Sequence, residues 1–232
     1  MGTRWTSSLA RWRWPTVAKT RMVSSELQAL HTHVAGFEAA FIVRGKSYDQ
    51  YSTQDHMGAI AYRLMSSAAI ESYVEDRCRS IARAAADRLS TGKKSAAGRG
   101  LLTWHLTSRR PWKYQAPIHG EDVLNYVTEV PTALKAYNDH VRASHGISGS
   151  DLRNLVVILG IRDAQLDSRL VDSLDALADA RNPASHGYQN RAKTMQEPET
   201  ETVLVNQVLS DLQKLDADLE RVCNDYPVDA LV

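Results

Sequence analysis

The chain has 232 residues, 43% of them hydrophobic and 24% charged, with a formal net charge of +1 at pH 7. That composition describes a globular chain with a core, and it excludes a bulk polycation, so any nucleic-acid contact has to come from a local patch. No apolar run approaches the roughly 18 residues of a membrane span. Cys78 and Cys223 lie far apart without CxxC spacing, which argues against a zinc ribbon or a secreted disulfide framework and for a reducing, cytoplasmic setting.

Residues 1–22 stand apart from the rest. They carry Arg4, Arg11, Arg13, Lys19 and Arg21 with no acid before Glu26, together with Trp5, Trp12 and Trp14. The stretch lacks the apolar core of a secretory signal, and it reads either as a basic arm that touches RNA or a partner, or as an extension upstream of a start at Met22. Without its five basic residues the formal charge of the chain falls from +1 to −4.

From Ser25 the apolar residues recur at helical spacing, with no sustained alternation of the strand type. Leu27, Leu30, Val34, Phe37 and Phe41 form one stripe, ending near Arg44-Gly45-Lys46. A second helix is expected from about Thr53 to Leu89, its inward row running through Met57, Ile60, Leu64, Ser67, Glu71, Val74, Cys78, Ile81 and Ala85. Glu71 sits in the middle of this row, and a buried carboxylate needs a partner. It either pairs with Arg181 across a bundle or lies on the exposed edge of its helix.

Ser90 to Gly100, STGKKSAAGRG, fails the order of a phosphate loop and reads as a basic loop. There Lys93, Lys94 and Arg99 either steer RNA or form a solvated charge run. Trp104 to Gly120 shows no clean period, so residues 90–120 are expected to be a loop or irregular insertion within one helical domain, 23–232. Helicity resumes at about Glu121–Ser144, with Val123, Val127, Leu134, Tyr137 and Val141, kinked at Pro131. Ser148-Gly149-Ser150-Asp151 offers an N-cap for the run from Leu152 to Leu159. The next helix carries Leu166, Leu170, Leu174 and Leu177, and a further step of four reaches Arg181. A last helix opens near Pro198-Glu199-Thr200-Glu201 and carries Leu204, Val208, Leu212, Leu215, Leu219 and Val222. The expected fold class is all-α, without internal repeats. His31 and His33, two apart on a helix, point to different faces and do not form a metal pair.

The stretch ALADARNPASHGYQNR, Ala176 to Arg191, carries the chemistry. Asn182 precedes a proline and is biased out of the α region, which predicts a helix end at about Arg181 and a restart with Asn182 as N-cap and Pro183 at the first position. His186 then falls in a first turn, where the dipole favours the neutral imidazole, a base. RNA supplies its own nucleophile, the 2′-OH. Cleavage needs a base for that proton, a cation for the phosphate oxygens and an acid for the leaving 5′-oxygen. The fork of Arg181 suits phosphate, and neither a metal nor a cofactor is required.

Arg181-Asn182-Pro183-Ala184-Ser185-His186, followed by Gly187, is an R-N-x-x-x-H-G step that resembles the signature of HEPN domains, and Ser66 to Arg77, SSAAIESYVEDR, looks like the Glu-bearing helix of the RiboL-PSP-type group. The resemblance covers roughly Thr53 to Cys223. It implies a helical bundle that dimerises so that two Arg–His pairs face one groove, a metal-independent endoribonuclease leaving 2′,3′-cyclic phosphate ends, and a place in toxin–antitoxin or phage-defence systems with an antitoxin or defence partner. Arg181 and His186 are the expected catalytic residues, supported by Asn182, Ser185 and Glu71. Tyr188 completes an R-x-x-x-x-H-x-Y pattern and is either a substrate-positioning or packing residue or a modification site. The alternative reading is a HEPN-like module that binds RNA, nucleotide or protein without cutting.

Overall fold

The computed structural model describes residues 23–108, 122–146, 148–186 and 197–224, leaving aside the side chains of residues 48, 122–125 and 182–186. The described residues form an all-α fold, with α1 Ser25–Phe41, α2 Thr53–Ser90, α3 Ala96–Ser108, α4 Val130–Ala143, α5 Gly149–Val156, α6 Ser168–His186 and α7 Pro198–Asn224. Among them no helix is long and apolar enough to cross a membrane. The basic arm at residues 1–22 lies outside the described residues.

Helix α2 is the spine, packed against α1, α3, α4, α6 and α7. It buries two adjacent rows, Ile60, Val74, Cys78, Ile81 and Ala85 on one and Ala59, Tyr62, Ile70, Tyr73 and Arg77 on the other, because helices cover it on several sides. Met57, expected inward, is 43% exposed, while His56, Ala59 and Ile60 in the same turns are buried, so it lies on the open side of the helix. The stripe of α1 buries Leu27, Leu30 and Val34, with Phe37 and Phe41 partly covered. In α6, Leu170, Leu174 and Leu177 are buried, and in α7 so are Val208, Leu212, Leu215, Leu219 and Val222.

Local chemistry sets the starts. The Ser24 hydroxyl accepts from the Leu27 N–H and caps α1. Ser52 with Asp55 and Ser148 with Asp151 form capping boxes at α2 and α5, each closing orphan donors of a first turn. Pro131 stands in the first turn of α4, where its missing N–H leaves no gap. The chain before it is a 3-10 stretch, Asp122–Glu129, broken at Tyr126, so the expected kinked helix is a 3-10 segment followed by an α-helix.

Two sequence expectations are corrected here. The segment 90–120 is not a loop throughout, since α3 runs from Ala96 to Ser108 and buries Ala97, Leu101, Leu102 and His105. The Ser95 hydroxyl accepts from the Gly98 N–H, an N-cap that the Gly-, Ser- and Lys-rich composition disguises. The remainder of the expected irregular stretch, 109–120, lies outside the described residues. The second correction concerns α6, which does not end at Arg181 but continues through Asn182 and Pro183 to His186. Pro183 disfavours the α region at the residue before it and removes one helical bond, and burial of the α6 stripe against α7 offsets both.

Candidate functional site

Arg181 occupies the place that its leucine row predicts, one turn beyond Leu177 on α6. Its Nη1 donates to Glu71 Oε2 on α2 at 2.8 Å, so Glu71 takes the paired alternative rather than the exposed edge. The pair is partly open, with side chains 34% and 18% exposed, which keeps one side of the guanidinium in reach of solvent and of a ligand. The other Glu71 oxygen, Oε1, accepts from the Gly146 backbone N–H at 3.0 Å, so the carboxylate is fixed from the loop between α4 and α5 as well.

Gly146 has φ +152, and a Cβ there would stand 2.4 Å from Asp151 Oδ2. That carboxylate is the α5 capping box, taking the Ser148 N–H at 2.9 Å and its hydroxyl at 2.6 Å. A side chain at residue 146 would therefore push on both the cap and the amide that holds Glu71. Next along, the Gly149 N–H donates to Asp175 Oδ1 at 2.8 Å and ties α5 to α6.

A second clamp holds the backbone just before Arg181. Arg63 on α2 donates from Nη1 to the Ala180 carbonyl at 2.7 Å, and Glu201 on α7 accepts from its Nε at 2.7 Å and also from Nη2. The Arg63–Glu201 pair is largely buried. Neither residue was singled out in the sequence. The available signal was Arg63 two turns before Glu71 on the same helix, and an acid within the expected start of α7.

The histidine half of the motif changes its setting. Because α6 is continuous, residues 181 and 186 are five apart on one helix, about 140° around the axis and ~7.5 Å along it. No chain reversal separates them. Residue 186 stands at the carbonyl end of α6 rather than in the first turn of a new helix, so the dipole argument for a neutral imidazole does not hold. The side chains of Asn182, Ser185 and His186, and all of Tyr188, lie outside the described residues.

The basic residues of the expected loop are dispersed. Lys93 is exposed and Lys94 half-buried in the turn before α3, whereas Arg99 lies on α3 in the wall of a separate groove. Elsewhere, burial pushes the Cys78 thiol up to about 12, and Cys223 is raised by burial too, so both are core residues rather than nucleophiles. No family model matches the chain, and no curated protein or solved structure matches it either.

Proposed function

We propose that the protein is a metal-independent endoribonuclease in which Arg181 and His186 act on the scissile phosphate. The observation that supports this best is the anchoring of Arg181: Glu71 holds its fork from one side at 2.8 Å while a third of the side chain stays exposed at the motif-bearing end of α6. An arginine held this way meets a phosphate with little further ordering. A base takes the 2′-OH proton, the freed oxygen attacks the adjacent phosphorus, and the bond to the 5′-oxygen breaks as an acid protonates it. The products are a 2′,3′-cyclic phosphate and a 5′-hydroxyl. The carbonyl end of a helix favours a cation, which suits His186 to the acid step and to holding phosphate. Asn182 and Ser185 supply polar support, and Tyr188 positions substrate or is modified. With the two positions about 140° apart on one helix, a groove shared between two copies of the chain brings one Arg181 and one His186 to the same phosphate. A cognate antitoxin or defence partner would hold such an activity in check.

The second reading, a HEPN-like module that binds RNA or a partner without cutting, draws on two facts: Glu71 already neutralises Arg181, and positions 181 and 186 stand about 140° apart around one helix. The deciding experiment incubates end-labelled single-stranded RNA and a tRNA pool with the purified chain, Arg181→Ala and His186→Ala in EDTA. Cutting that leaves cyclic phosphate, and that drops at least about 100-fold in either variant, is expected. Equal background from all three proteins rejects the nuclease, and RNA retention lost in Arg181→Ala alone would then identify the binding module.

A further inference from the structure

A groove of about 590 Å³ opens between α3, the chain that follows α5 and the end of α7. It is separate from the Arg181 site, since neither Glu71 nor Arg181, Arg63 or Glu201 lines it. Its size is that of a small-molecule site, and its walls are mostly apolar, formed by Ile158, Ile161, Val222 and part of Trp104. Val157 stands at the lip and is 46% exposed, an apolar side chain left in water.

The floor is set by backbone. A Cβ on Gly100 would lie 2.4 Å from the Ile158 carbonyl oxygen, and one on Gly160, at φ +82, would lie 2.8 Å from that of Ala96. These two glycines let α3 and the loop after α5 meet backbone to backbone, so the cavity is fixed by main chain rather than by adaptable side chains.

Charge then selects the occupant. Three arginines, Arg99, Arg162 and Arg221, line the groove, and among the described residues no acidic side chain does. Arg221 is half compensated, donating to Asp218 Oδ1 at 3.1 Å from outside the cavity. Arg99, partly buried in the wall, makes no ion pair with a described residue. An arginine in the wall of an apolar cavity, with no described carboxylate on it, is a natural partner for a ligand that brings one.

We propose that this groove binds a small organic anion with an apolar body, a single carboxylate or sulfonate head lying against Arg99 and an aliphatic or aromatic frame against Ile158, Ile161 and Val222. A nucleic-acid strand fits poorly, because its many charges would be desolvated against apolar walls while one to three arginines answer them.

The test titrates the full chain with 8-anilinonaphthalene-1-sulfonate and displaces it with decanoate, decan-1-ol and decyltrimethylammonium, which share one body and differ in the head. Saturable binding is expected, with decanoate at least about tenfold more effective than the alcohol and the ammonium weakest. Arg99→Gln, which breaks no described ion pair, should weaken decanoate about tenfold and leave the alcohol unchanged. Lys135→Glu, on the exposed side of α4, should change neither. Thermal melts verify that both variants fold. Equal displacement by the three compounds, an Arg99→Gln protein indistinguishable from the parent, or stronger displacement by oligouridylate overturns the assignment.

Discussion

At the start of α2, the Asp55 carboxylate takes Lys46 Nζ at 2.7 Å and the Ser52 N–H at 2.7 Å, and it also accepts from the Ser52 hydroxyl. The Lys46 ammonium, followed by the Ser52 donors, pulls its pKa from 3.8 to about 2. A carboxyl depressed in the folded state binds protons more readily once unfolded, so its stabilisation is full above 3.8 and is lost as pH falls towards about 2. Melting temperature should therefore drop across that window, and the drop should be shallower in Asp55→Asn, which starts less stable at neutral pH. Thermal melts of both proteins between pH 2 and 6 read this out, and parallel curves would remove Asp55 from the account. Asp216, lowered mainly by Ser24 and Arg77 against its own desolvation, adds to the acid slope of both proteins, so the difference between them isolates residue 55. The same attention to single groups explains Glu71. Its row on α2 exposed the need for a partner, but the Gly146 amide that completes the pair is a backbone group in a loop, and no side-chain pattern reports it.

Helix α6 is where local rules and the fold disagree. Read from the sequence, Asn182-Pro183 is a stop followed by a restart, and that reading rests on steric rules for the residue before proline. The helix instead continues to His186, from an axis that the Leu170, Leu174 and Leu177 stripe and the Arg63 and Glu71 contacts fix up to Arg181. The two geometries predict opposite effects of Pro183→Ala. Within a continuous helix the substitution restores a backbone bond and removes the ring clash, so it should stabilise by about 1–3 kcal/mol and raise helicity. At the first position of a new helix it would be neutral or slightly destabilising. Urea unfolding with circular dichroism separates them. Helix α3 shows the converse: its Gly98 and Gly100 lower helix propensity and suggested a loop, yet each lets a neighbour approach, with Leu89 Cδ1 2.7 Å and the Ile158 oxygen 2.4 Å from where a Cβ would stand. Close approach of this kind depends on the tertiary partner, and the sequence of the element itself does not display it.

Across the whole molecule the long apolar stripes were readable because their periodicity is carried by many residues, and the polar joints between helices were not, because each depends on pairs far apart in the chain. The main joint is centred on Asp216 of α7, 4% exposed. Its oxygens accept from the Ser24 N–H at 3.0 Å and hydroxyl at 2.9 Å, from the Tyr73 hydroxyl at 3.1 Å and from Arg77 Nε at 2.8 Å, which fastens the start of α1 to α2 and α7. Arg77 spends a second donor on Glu220 at 2.8 Å. A buried pair of this kind contributes modestly when intact, because desolvation offsets the attraction, but removing one partner strands the other. Asp216→Ala leaves the largely buried Arg77 guanidinium with only the more exposed Glu220 and Glu26, and strands a tyrosine hydroxyl and the α1 cap, so it should destabilise by about 3–5 kcal/mol in urea unfolding. Replacing Arg77 and Asp216 together by Met and Leu should recover most of that loss, since apolar residues of similar volume remove the stranded charge along with its partner. A single variant that loses less than ~1 kcal/mol, or a double variant less stable than the single, would show that the joint is held by packing of Leu27, Tyr73 and Leu219 around it rather than by the carboxylate.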